Sequence, residues 1–366
     1  MPNPANPRQP LSWRKRLLFA SIAAGVVVIG MFSAILGADL YVHHRAERNA
    51  GVNIWGYRGP RVPRKSAGEH RLVVLGGSTA FGYGVDWAMA FPAQLEADLR
   101  PRSKHGAPVT VVNLGMNSQG AYSFRYTLED YLNLQYDTAI LYEGYNDLGD
   151  APNEYVGRRD SPVFRLFGYY PILHIAIQEK AMALRTGGDI NSAYAGKKTV
   201  FKPGLGARTS ADALDAAGAI SRSLTEQLGR FSKAPPAATS FANLHVKDYG
   251  CALVSAYYCA SVHDAVQFAL DHHKKVLVVT QPYINDAHRA QQHDMSAMLA
   301  SQFGGNAAVG YVDLGNLISL PNPALAYDGM HLNAEGNRMV GEALVNPIAR
   351  LMPDAFDPAA MAAVSK

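Results

Sequence analysis

The chain has 366 residues, 48% hydrophobic and 17% charged, with a formal net charge of +4. That length allows one large domain or two small ones. The basic residues are scattered apart from Arg14-Lys15-Arg16, so the sequence lacks the basic stripe that nucleic-acid binding needs, and it shows no internal repeat or long low-complexity tract.

Residues 17–38 are 22 positions without a charge. At about 1.5 Å per residue they span the roughly 30 Å hydrocarbon core. The run is longer than the about 7–15 apolar residues of a signal peptide, and a cut after Ala38 would put Leu36 where a small residue is wanted. The reading is an uncleaved transmembrane anchor over 17–38, with a long, removed signal peptide as the alternative. Arg14, Lys15 and Arg16 flank the run on one side, with Arg8 further out. Arg45 and Arg48, offset in part by Glu47, flank the other. The positive-inside rule then puts residues 1–16 in the cytoplasm and the rest on the periplasmic or extracellular side.

Residues 39–70, rich in Gly, Pro and Arg from position 51, read as a linker. From residue 71 short apolar runs alternate with helical periodicity. Strands are expected at 72–75, 109–113, 138–142, 275–280 and 309–314. Helices are expected at 91–100, 123–134, 262–273, 288–303 and 334–351. Leu95 and Leu99, for example, recur at i, i+4. Such alternation implies an α/β fold, a parallel sheet with helices on both faces. Ligands in such sheets sit beyond the carboxyl ends of the strands. The pattern breaks over residues 151–261, which read as a mostly helical insertion with helices near 172–184 and 211–228. Insertions this long form lids or binding elements, or simply pack. Residues 352–366 form a tail.

Two cysteines occur, Cys251 and Cys259. On one continuous helix they would stand about 12 Å apart. A bridge needs Cα atoms within about 7 Å, so either a loop joins them or they stay free.

Three motifs carry chemistry. Gly76-Gly77-Ser78-Thr79-Ala80 follows the first strand and presents a serine on a turn whose glycines tolerate unusual backbone angles. It lacks the Lys-Ser/Thr of a P-loop and the spacing of a dinucleotide fingerprint. Glu143-Gly144-Tyr145-Asn146-Asp147 follows the third strand and offers the Asn146 amide as an oxyanion donor or a plain turn residue. Asp328-Gly329-Met330-His331 lies before the last helix. There a three-residue gap sets a carboxylate at imidazole Nδ1 and leaves Nε2 to take a proton, while Asn333 can cap the helix. Val112-Asn113-Leu114-Gly115 ends the second strand in the same way and can lend the Gly115 N–H. His263 and His273 also have aspartates nearby, Asp264 and Asp271, but away from a strand's carboxyl end. Tyr169-Tyr170 and Tyr257-Tyr258 fit a substrate groove or core packing equally. No metal motif is present, and no cofactor is expected.

In chain order these segments resemble the conserved blocks of the SGNH (GDSL-type) hydrolase superfamily over about 170 residues, 71–150 and 262–351. Gly77 stands where that family has an aspartate before its serine. The resemblance implies a flavodoxin-like three-layer α/β/α sandwich on a five-stranded parallel sheet. It also implies Ser78 as nucleophile, His331 as base and Asp328 as its orienting carboxylate. The oxyanion hole would comprise the Ser78 N–H, the Gly115 N–H and the Asn146 side chain.

The expectation is a serine esterase of the cell envelope, anchored in the cytoplasmic membrane and forming an acyl-serine intermediate. Its substrate would be an ester, on an acylated polysaccharide or a lipid. An O-acyltransferase working with a protein partner and a non-catalytic envelope binding module are the alternatives.

Overall fold

The computed structural model describes residues 12–49, 51–148, 153–188, 204–231 and 249–356. Its strands are β1 His70–Gly76, β2 Val109–Asn113, β3 Thr138–Tyr142, β4 Lys275–Thr280 and β5 Val309–Asp313. The described helices are α1 Trp13–Asn49, α2 Ser78–Phe81, α3 Phe91–Leu99, α4 Ser123–Asp130, α5 Pro162–Phe167, α6 Leu173–Thr186, α7 Leu205–Phe231, α8 Ala256–Asp271, α9 Asp286–Phe303 and α10 Ala334–Leu351. The chain divides into two compact units, Met1–His43 with Ile172–Ser223, and His44–Pro171 with Leu224–Lys366.

The second unit holds the sheet. All four strand pairings are parallel and the order is β2-β1-β3-β4-β5. Strand side chains alternate between faces. Leu72, Val74, Ile140, Tyr142, Leu277 and Val279 therefore form one core with Phe91 and Leu95 of α3 and Val340, Leu344 and Ile348 of α10. Val73, Leu75, Ala139, Leu141, Val276 and Val278 point the other way and are equally buried. There α4, α8 and α9 cover the sheet. The result is the three-layer α/β/α sandwich expected, and all five strands fall where the apolar runs placed them.

Helix ends differ from the periodicity for local reasons. The stretch 123–134 stops being α-helical at Asp130, because Tyr131 leaves helical angles and Gln135 closes a separate 3₁₀ turn in the left-handed region. Helix α9 starts at Asp286 because the Asn285 side chain accepts the His288 N–H at 2.8 Å. Asn333 caps α10 in the same way through the Gly336 N–H, 3.0 Å away.

Helix α8 begins at Ala256, earlier than its expected start at 262, and this decides the cysteines. Only Cys259 lies on the helix; Cys251 precedes a 3₁₀ turn over Leu253–Ser255. The turn brings their Cα atoms to 6.7 Å, and the two form a disulfide.

Residues 39–70 do not form an extended tether. Helix α1 continues to Asn49. Beyond it, Tyr57 and Arg58 are buried, and the Arg58 N–H donates to the Asn113 carbonyl at 3.0 Å.

In the first unit, α1 is long and apolar enough to cross a membrane, and no residue of its most apolar stretch is buried. Just past that run, Asp39 is buried and accepts the N–H groups of Ile172, at 2.9 Å, and Leu173, at 2.5 Å. A carboxylate at these orphan donors caps α6. Arg185 at the end of α6 pairs with Asp212, at 2.8 Å, and Asp215, at 2.5 Å, near the start of α7. Ile177 of α6 comes closest to Gly218 further along α7. The two helices therefore run antiparallel.

Candidate active site

In an open sheet of order 2-1-3-4-5 the connections leave β1 and β3 in opposite directions, and a crevice opens at their carboxyl ends. Ser78 follows β1 and Asn146 follows β3, so both lie at this crevice. The turn before Ser78 is closely packed on both of its glycines. A Cβ on Gly76 would stand 2.1 Å from the Tyr142 carbonyl oxygen, and one on Gly77 would stand 2.2 Å from Asn146 Nδ2 and 2.3 Å from Glu143 Oε2. Ser78 is then the first residue of the one-turn helix α2.

The loop between β5 and α10 brings Asp328 and His331 to the serine. His331 Nε2 lies 2.8 Å from Ser78 Oγ, and His331 Nδ1 lies 2.6 Å from Asp328 Oδ2. Asp328 Oδ1 also accepts the N–H groups of Met330, at 3.0 Å, and His331, at 2.7 Å. Burial alone would raise the Asp328 carboxyl; the hydrogen bonds from the His331 side chain and the two backbone groups outweigh it and hold it below the ordinary range. An ionised carboxylate at Nδ1 assigns the proton there and turns the Nε2 lone pair toward the serine hydroxyl.

His331 is flanked by two tyrosines. The Tyr83 ring is centred 5.0 Å from the imidazole, and the Tyr327 ring lies 5.9 Å away at 18° to it. Tyr327 Oη donates to the Tyr83 carbonyl at 2.8 Å. Gly84, at φ 88°, leaves room for that hydroxyl; a Cβ there would stand 2.3 Å from it.

The other site residues lie close by. The Gly115 N–H donates to Asn113 Oδ1 at 3.0 Å, while Asn113 Nδ2 donates to the Ala80 carbonyl at 3.0 Å. Asn146 Nδ2 donates to the Gln119 carbonyl at 3.0 Å and to Glu143 Oε2 at 3.3 Å. Two of the three expected oxyanion donors are thus bonded to neighbouring protein groups. His263 stacks on Tyr249, 4.3 Å between ring centres, and His273 sits in a left-handed turn at φ 56°. Neither joins Ser78.

Several residues at the site carried no assigned role in the sequence. Glu143, 2% exposed, accepts from Gly77 N at 2.5 Å, Gly144 N at 2.9 Å and Asn146 N at 3.0 Å. Burial pushes its carboxyl up, and these N–H donors oppose the shift. Asp147 beside it is pushed up to about 8 by burial and by the Glu143 charge. Tyr258 is core rather than groove: its hydroxyl donates to the Glu143 carbonyl at 2.6 Å. Arg58 donates to the carbonyls of Phe81, Gly82 and Val85, just past Ser78. Burial lowers its guanidinium to about 10. Arg158, from the insertion, donates to the carbonyls of Gly56 at 2.6 Å and Leu114 at 3.0 Å. A charged residue ending an otherwise buried strand, as Glu143 does after β3, was the one readable signal among them.

No protein-family model and no curated protein matches the chain. Among solved structures, it is similar to a member of the lipolytic protein G-D-S-L family from Veillonella parvula DSM 2008, at 10% identity and TM-score 0.39 over 77% of this chain and 99% of that one. It is also similar to the Clostridium thermocellum family 3 carbohydrate esterase, at 10% identity and TM-score 0.41 over 78% and 98%. A third is Axe2, an acetylxylan esterase from Geobacillus stearothermophilus, at 14% identity and TM-score 0.38 over 76% and 94%.

Proposed function

We propose that the protein is a serine esterase of the SGNH type, held by its N-terminal helix on the outer side of a cytoplasmic membrane. The observation that carries this reading is the hydrogen-bonded chain Ser78 Oγ, His331 Nε2, His331 Nδ1, Asp328 Oδ2, formed by residues from opposite ends of the domain. A serine hydroxyl is a weak nucleophile at neutral pH, and an adjacent imidazole oriented by a carboxylate activates it.

In the reaction, Ser78 Oγ forms a bond to the ester carbonyl carbon while its proton passes to His331 Nε2. Asp328 stabilises the resulting imidazolium without taking its proton. Collapse of the tetrahedral intermediate breaks the ester C–O bond, and Nε2 returns the proton to the departing alcohol. Water then loses a proton to Nε2 and attacks the acyl carbon; the C–Oγ bond breaks, the acid leaves, and Nε2 returns the proton to Ser78 Oγ. The Ser78 N–H, the Gly115 N–H and the Asn146 amide are the donors assigned to the oxyanion. Gly115 and Asn146 must share or exchange their present partners to serve it. Acyl or acetyl esters of envelope polysaccharides or lipids are the substrate class that suits an anchored enzyme.

The test is Ser78→Ala in the full-length protein. Hydrolysis of an aryl acetate should disappear while the melting midpoint stays in place. Retained turnover would sink the mechanism.

A further inference from the structure

The carboxylate of Glu143 occupies the space that a side chain on Gly77 would fill. A Cβ at position 77 would stand 2.3 Å from Glu143 Oε2 and 2.2 Å from the Asn146 Nδ2 that this oxygen accepts. That same oxygen accepts the Gly77 N–H at 2.5 Å and Asn146 Nδ2 at 3.3 Å. The other oxygen accepts Gly144 N at 2.9 Å and Asn146 N at 3.0 Å. Four N–H groups therefore point at two oxygens, the full accepting capacity of a carboxylate. The side chain is 2% exposed, so these groups have no solvent to fall back on.

One buried group thus ties the end of β3 to the turn that presents Ser78. It also fixes the backbone and the side chain of Asn146. The first block of SGNH hydrolases has an aspartate at the position of Gly77, and many members carry glycine there, as this chain does. Here an acidic side chain at 77 and Glu143 would collide, so the two arrangements exclude each other.

We infer that Glu143 is a positioning residue for the reaction, supplying from the end of β3 the carboxylate that the nucleophile turn lacks at Gly77 and holding Ser78 and Asn146 in register. The inference rests on the esterase reading above. Glu143 touches neither substrate nor the reacting atoms in this scheme. Its effect runs through the Gly77 peptide and the Asn146 amide, where a misplacement of about 1 Å costs on the order of 10²-fold in rate.

The test uses the full-length protein in detergent and an aryl acetate as substrate. It compares wild type, Glu143→Ala, Gly77→Asp and the double variant Gly77→Asp/Glu143→Ala, with kcat, KM and melting midpoint measured for each. Glu143→Ala should lower kcat about 10²-fold and leave KM within about threefold, since only transition-state geometry is lost. Gly77→Asp alone should be impaired by the collision. The double variant should recover kcat at least about tenfold over Glu143→Ala, because the aspartate then enters the space Glu143 leaves and, once the Asn146 amide shifts aside, accepts from it in place of Glu143.

A wild-type kcat in Glu143→Ala would overturn the inference. So would a double variant no better than either single change, or a fall in melting midpoint with kcat unmoved. If Glu143→Ala does not fold, Glu143→Gln replaces it as the single variant. It keeps the volume and one acceptor oxygen and should show the same loss of kcat at constant KM. An active wild type in any of these failures separates them from failure of the esterase reading. That reading fails if the wild-type chain does not hydrolyse ester or if Ser78→Ala keeps its turnover, and the inference then falls with it.

Discussion

Arg158 Nη2 donates to the Leu114 carbonyl at 3.0 Å, and that carbonyl belongs to the same peptide unit as the Gly115 N–H. Hydrogen bonds along one peptide polarise each other, and a charged donor on the carbonyl strengthens the N–H on the other side. The guanidinium is 2% exposed, so water does not screen it. A segment outside the sheet thereby acts on a peptide assigned to the oxyanion hole.

Arg158→Met should therefore lower kcat about tenfold with KM little changed, a fraction of the about 10²–10³-fold lost when an oxyanion donor is removed outright. Arg158→Lys, which keeps a charged donor, should lose less. Steady-state kinetics on an aryl ester checks both. Equal kcat in the Met variant and wild type would remove Arg158 from the account.

The Cys251–Cys259 bridge staples the turn before α8 and so supports Tyr258, whose hydroxyl holds the Glu143 carbonyl. A loop this short restricts the unfolded chain by roughly 2–3 kcal/mol. Cys251→Ser/Cys259→Ser should lower the urea midpoint accordingly and leave kcat within about threefold at temperatures where the fold persists. Chemical denaturation with and without reductant measures the same difference in the unmodified chain.

His288 on α9 is fully buried, and neither ring nitrogen has a hydrogen-bond partner among the described residues. Burial lowers its pKa from the ordinary 6.5 to about 4. Because the unfolded chain binds the proton more readily, stability is complete above about pH 6.5 and is lost as pH falls toward 4, by roughly 3 kcal/mol. His288→Leu should flatten that part of the stability curve relative to wild type. Urea midpoints measured at pH 7, 5.5 and 4.5 check it; parallel curves for the two proteins would contradict it.

The strands were legible because each is a short run rich in apolar residues bounded by polar or glycine residues; β3, Thr138–Tyr142, is buried along its whole length, while the edge strand β5 is only partly covered. Ser78, Asp328 and His331 were legible as candidates because each lies in a short segment with characteristic neighbours, and the three side chains meet at hydrogen-bonding distance. Arg58 was not, since its partners are the carbonyls of Phe81, Gly82 and Val85, more than twenty residues away. Backbone carbonyls leave no residue type to read. Residues 51–62 therefore looked like a linker although Tyr57 and Arg58 pack into the domain. Tyr327 was hidden for a similar reason, because its hydroxyl finds the Tyr83 carbonyl across a turn that Gly84 keeps open. The early start of α8 puts Cys259 on the helix and leaves Cys251 ahead of the 3₁₀ turn, a division that residue spacing alone does not show.

The central claim is that His331 activates Ser78. Treatment of the full-length protein in detergent with a fluorophosphonate, followed by mass spectrometry of the peptides, tests it most directly. The account predicts a single adduct on Ser78 that disappears in His331→Ala. No Ser78 adduct in folded protein, or equal labelling in the His331→Ala variant, would contradict it.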